Sequence, residues 1–114
     1  MYQARYNDIM DDGAASAKER ERSLFDQSIM MLEEARDEGA YSFKGIEAVH
    51  FTSRLWVIVI EDLGSPENGL PPQLRASLIS IGIYILKELE EIRQGRSTDY
   101  DGIIEITRTI RDRI

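Results

Sequence analysis

The chain has 114 residues, enough for one hydrophobic core and too few for two independent ones. Leu, Ile, Val and Phe fill 30 of the 114 positions, above the roughly one-fifth below which a charged chain stays disordered, so it should fold. Fourteen basic and 21 acidic side chains leave a net charge of −7, which repels nucleic acid, and the lack of cysteine excludes a disulfide framework, a thiolate metal site and a thiol nucleophile.

The opening MYQARYNDIMDD carries acids where a secretory leader has a basic and then an apolar stretch, and no 18-residue stretch is free of charge. One soluble domain over 1–114, cytoplasmic and away from membranes, is the expectation. The acidity is N-terminal: residues 1–40 hold ten acids and five bases, residues 71–114 seven of each. The C-terminal bases lack interleaved aromatics for base stacking, so direct nucleic-acid binding is not expected.

In chain order, residues 2–10 place Tyr2, Tyr6 and Ile9 or Met10 at steps of three or four, a short extra turn or docking arm. Residues 14–38 repeat apolar side chains at Leu24, Phe25, Ile29, Met31, Leu32 and Ala35, an amphipathic helix that Gly39 would end in a left-handed C′ position. Residues 42–63 start at Ser42, a candidate N-cap, and put Ile46, Val49, His50, Ser53, Trp56, Val57, Ile60 and Leu63 along one side. Gly64 and Pro66 stop that helix.

Two runs compete with this helical reading. Trp56 to Ile60 is a β-branched and aromatic stretch, and Ile79, Ile81, Ile83 and Ile85 alternate with Ser80, Gly82 and Tyr84 at period two, each a local strand signal. Against the second stand Leu74, Leu78, Ile81, Ile85, Leu89 and Ile92 at helical spacing, with Pro71 suited to a first turn and Gly95 to a C′ stop. The longer pattern predicts a helix. Apolar on nearly all sides, 53–63 and 76–87 would form the centre of the bundle. Gly82 costs about 1 kcal/mol in a helix relative to Ala, which makes sense only if another backbone packs close against it. After Gly95-Arg96-Ser97, Thr98 with Asp101 resembles a capping box, and Ile103, Ile106, Thr107 and Ile110 continue at helical spacing. Arg108, Arg111 and Arg113 sit where cations complement a helix C-terminus. The prediction is an all-α, single-domain bundle of about four helices with a short N-terminal segment.

The motifs of phosphate cradles, nucleophile elbows and zincin sites are absent, so no catalytic, metal-ligating or cofactor-binding set is expected and the chain does not read as an enzyme. His50 reads as an interior or boundary histidine rather than a ligand. Glu33, Glu34, Asp37 and Glu38, and Glu88, Glu90 and Glu91, read as water-facing surfaces. Asp99-Tyr100-Asp101-Gly102 lacks the spacing of a calcium loop and reads as a helix start. Trp56 is either a packing element whose indole N–H needs a partner or an anchor for a guest helix; packing is the preferred reading. The Gly64–Pro72 loop, with three prolines and two internal or flanking glycines, has its shape fixed either to position helices or to present contacts.

The run from Arg54 to Gly95 resembles the alphaproteobacterial flagellar regulator family FlaF. That family combines a Trp-bearing helix, Asp-Leu, a Pro-x-Asn-x-Leu-Pro loop and Leu-Arg-Ala-x-Leu-Ile-Ser-Ile. This chain has Trp56, Asp62-Leu63, Pro66-Glu67-Asn68-Gly69-Leu70-Pro71 and Leu74-Arg75-Ala76-Ser77-Leu78-Ile79-Ser80-Ile81 in that order. The resemblance implies a cytoplasmic protein needed for flagellin production and filament assembly, associated with flagellin and working alongside the regulator FlbT. Two mechanisms agree with it: a flagellin chaperone offering an apolar groove to a terminal helix of flagellin, or an adaptor controlling flagellin translation through FlbT. The acidic surface favours the first, because the second needs a protein intermediary to reach mRNA. Partner-binding residues expected beside the motif are Leu70, Leu78 and Tyr84, and Trp56 if it is not sealed inside, with Arg54 and Arg75 orienting the guest.

Overall fold

Four helices hold nearly all of the described residues, which in this computed structural model are 13–39 and 42–113, with side chains from Ala17 onward. They are α1 (Gly13–Glu38), α2 (Phe43–Gly64), α3 (Pro72–Arg93) and α4 (Tyr100–Arg113). The all-α architecture is as predicted, and no strand occurs among the described residues. The predicted turn or arm at 2–10 lies outside the described residues.

Local chemistry sets the boundaries. Gly39, at φ 114°, ends α1 while its N–H donates to the Ala35 carbonyl over 3.0 Å. Ser42 caps α2, its hydroxyl accepting from the Gly45 N–H at 3.1 Å. Pro72 rather than Pro71 opens α3, where a missing N–H costs no hydrogen bond. At the far end of α3, Gly95 takes φ 78° and donates to the Ile92 carbonyl, while Arg96 N–H donates to that of Glu91. This pair of bonds is a Schellman stop. Strong start and stop signals 22 residues apart, with no sheet partner, outweigh the period-two run, and Ile79 to Ile85 is helical throughout.

The start of α4 differs from the expected Thr98 box. Asp99 is the cap, its Oδ1 accepting from the Gly102 N–H at 3.1 Å, and Ser97 Oγ accepts from Asp99 N–H at 3.1 Å. Gly102 is suited to this, because a Cβ there would stand 2.9 Å from Asp99 Oδ2. Asp99→Ala should therefore lower the unfolding free energy by about 1 kcal/mol in urea titration, and Thr98→Val should leave it unchanged.

The helices form a row in the spatial order α4, α1, α2, α3, each antiparallel to its neighbour, with extensive contact in the pairs α4·α1, α1·α2 and α2·α3. Phe25, Leu32, Trp56, Ile85, Leu89, Tyr100 and Ile103 are sealed in the shared core. Trp56 stands edge-on to Phe25, ring centroids 5.6 Å apart at 68°. A ladder of ion pairs fixes the α1–α4 register: Asp26–Arg111 at 2.6 Å, Glu33–Arg108 at 3.3 Å and Arg36–Asp101 at 2.7 Å. Arg108 and Arg111 thus reach across to α1, while Arg111 and Arg113 stand in the last turn of α4 as expected. Water screens these pairs, so they select register more than they add stability.

Residues 53–63 of α2 and 76–87 of α3 are not buried on most of their surface, contrary to the expectation, and α3 stands at one end of the row rather than at its centre. Val57, Ile58, Ile83 and Tyr84 are all exposed. The core face of α2 runs through Gly45, Ala48, Val49, Thr52, Leu55, Trp56, Val59 and Leu63. Ile46, His50 and Val57 lie on the other side, in solvent, so His50 is a surface residue and not an interior or boundary one. Two apolar stripes wind along α2, and the smaller side chains of Ala48 and Thr52 let the inner one pack closely.

Candidate partner-binding site

Two surface regions follow from this arrangement, one at the loop and one between the outer helices. In the loop, Asn68 Nδ2 donates to Asp62 Oδ2 at 3.3 Å, and Asn68 Oδ1 accepts from Leu70 N–H at 3.0 Å. Arg75 Nη1 donates to the carbonyls of Ser65 at 3.2 Å and Leu63 at 3.4 Å. Leu70 is half-buried against the core. The Asp-Leu, Pro-x-Asn-x-Leu-Pro and Leu-Arg elements therefore form one clasp that closes the α2–α3 turn, with the Arg75 guanidinium acting as its pin.

The expected contact residues do not form one patch. Trp56 and Leu78 are buried and present no surface to a guest, since their positions on α2 and α3 point into the shared core. Arg75 is committed to loop carbonyls rather than to a partner carboxylate. Arg54 is exposed beside Leu24, Phe51 and Ile58 in the α1–α2 groove. Tyr84, 51% exposed, is on α3 and lines a different groove.

Tyr84 belongs to a cleft of about 530 Å³ between α3 and α4, lined by Ser80, Ile81, Tyr84, Glu105, Ile106, Thr109 and Ile110. It exists because α3 and α4 are the two ends of the row and approach each other only loosely. Its walls are apolar at Ile81, Tyr84, Ile106 and Ile110, with hydroxyls and the Glu105 carboxylate at the rim. The α4 side chains were not anticipated. Ile106 follows Ile103 at helical spacing, but which side of that stripe would face α3 depends on the ion-pair ladder between α1 and α4.

Two other grooves flank α2. The one toward α3, about 520 Å³, is lined by Ile46, Val49, His50, Ser53 and Ile92 with Glu90 and Arg93. Glu90 is held down to a pKa of about 2, first by its hydrogen bond from the Arg93 guanidinium and then by that from Gln94. Elsewhere, burial followed by the nearby Asp62 charge raises Glu21. Among the described residues no group of three or more His, Asp or Glu side chains is placed to hold a metal ion, and no helix is long and apolar enough to cross a membrane.

Searches of curated proteins and of solved structures returned no match. The family model for the flagellar protein FlaF matches residues 2–113, nearly the whole chain, and with the loop clasp built from the residues that carried the resemblance, the chain belongs to the FlaF family.

Proposed function

We propose that this protein holds unassembled flagellin in the cytoplasm, receiving a terminal amphipathic helix of flagellin in the α3–α4 cleft. The observation that carries this reading is the incomplete bundle: two outer helices with apolar walls at Ile81, Tyr84, Ile106 and Ile110 and, among the described residues, no helix between them. A guest helix laid there would bury its apolar face as a fifth helix, the helix-in-groove mode of recognition. Occupying that face of flagellin keeps it from polymerising before export. The net charge of −7 supports a protein guest over direct contact with a message.

Calorimetric titration of the full chain with flagellin tests the reading. Tyr84→Glu should weaken binding about thirtyfold, the ~2 kcal/mol typical of a central interfacial tyrosine. The melting temperature should hold, since Tyr84 is half in solvent. Absence of heat with flagellin, together with binding to FlbT, would replace this reading with the adaptor mechanism. Undiminished binding by Tyr84→Glu would move the guest out of the cleft.

A further inference from the structure

The outer face of α2 carries apolar surface that no helix among the described residues covers. Phe43 is 73% exposed and Ile46 64%, and Val57 is exposed as well. With His50, Ser53 and Ile60 they fall at steps of 3, 4, 3, 4 and 3, the alternating a and d positions of a heptad repeat. That is the pattern of a helix seamed to another helix, here on the side facing away from the core.

From this face we infer that a second copy of the chain packs against it, the two α2 helices running antiparallel around a two-fold axis. The charges beside the seam select this occupant. Glu47 and Arg54 both occupy the flanking e position, one heptad apart, and among the described residues neither forms an ion pair or side-chain hydrogen bond within the chain. In an antiparallel pair, Glu47 of each copy faces Arg54 of the other, and the two-fold makes that pairing twice. The same register sets Phe43 against Ile60, Ile46 against Val57, and His50 against Ser53, whose hydroxyl can hydrogen-bond the imidazole. A parallel pair would instead set Glu47 and Arg54 against the g positions, Ser42 and Val49, which carry no charge to meet them. The surface is thus complementary to itself in one orientation, as an isologous contact requires. It lies on α2, away from the α3–α4 cleft, so it does not depend on the flagellin reading.

Sedimentation velocity of the full-length chain, with no flagellin present, tests the pairing. The wild-type mass should rise with concentration from 13.1 kDa toward twice that value. Glu47→Arg and Arg54→Glu each place like charges opposite one another at two symmetric points, and each should weaken dimerisation roughly tenfold. The double variant E47R/R54E exchanges the charges and should restore it. Ile46→Asp should abolish the dimer with helical circular dichroism intact, because that side chain is mostly in solvent in the monomer. A wild-type chain that stays monomeric into the millimolar range overturns the inference. So does a dimer indifferent to both single charge reversals, or one the double variant fails to restore.

Discussion

Trp56→Ala should lower the unfolding free energy by about 3–5 kcal/mol, measured by urea denaturation, with a fall in melting temperature on the order of 15 °C. Three observations set the size. The indole is fully buried, so truncation returns none of its surface to water and leaves a cavity instead. Its ring makes a T-shaped contact with Phe25 in α1, and its Cε3 lies under Gly82 of α3, so one side chain joins three helices. A domain of this size has about 5–15 kcal/mol in total, so the variant would stand near the limit of folding. Trp56→Phe should cost less than half as much. It keeps an aromatic ring against Phe25 and removes an indole N–H that is buried without a hydrogen-bond partner. As Trp56 is the sole tryptophan of the chain, its fluorescence reads the core directly. Emission should be blue-shifted and resistant to iodide. A red-shifted, quenchable signal, or an alanine variant that melts like wild type and loses flagellin binding, would restore Trp56 as a guest anchor.

What could be read before folding was whatever is decided within a few residues. Ser42, Gly39 and Gly95 do the work their sequence positions suggest because caps and stops depend on neighbouring backbone groups alone. Ile79 to Ile85 are legible as helix for a related reason: termination signals and a 22-residue span constrain more than alternation over seven residues. The side of α2 that turns inward was beyond such reasoning. Ile46-His50-Ser53-Val57-Ile60 and Ala48-Thr52-Leu55-Val59 both keep helical spacing, and only the fit against α1 and α3 chooses between them. Likewise, Arg75 was visible as a cation beside a loop. Its acceptors, the carbonyls of Leu63 and Ser65, come together only when that loop is closed. The α3–α4 cleft was the least legible feature, since it arises from where α4 docks, and three ion pairs to α1 set that placement.

Gly82 packs directly against side chains of α2, and substitution there should show how tightly the α2–α3 spacing is held. A Cβ on Gly82 would lie 2.8 Å from Cγ1 and 3.0 Å from Cδ1 of Ile60, and 3.1 Å from Cε3 of Trp56. The glycine therefore makes room for side chains of α2, where the expectation had been another backbone. Gly82→Ala gains about 1 kcal/mol of helix propensity but overpacks the contact at a cost of about 1–3 kcal/mol. The net result should be a loss of about 1 kcal/mol by denaturation. Gly82→Leu has no space at all and should lose about 3 kcal/mol as the helices part. The two sides of the contact can be separated with a double-mutant cycle. Ile60 is only half-buried, and Ile60→Ala removes both of the nearest atoms, leaving the Trp56 ring as the remaining restraint. In that background Gly82→Ala should become neutral or stabilising, a coupling of about 1 kcal/mol or more. Strict additivity, or a Gly82→Ala single variant more stable than wild type, would mean that α2 and α3 stand further apart than this contact allows. Because Ile60 sits on the seam between the core and the outer face of α2, Ile60→Ala should also weaken self-association, whereas Gly82→Leu should do so only by displacing Ile60. Measuring both variants by sedimentation therefore separates loss of the seam side chain from loss of the spacing that supports it.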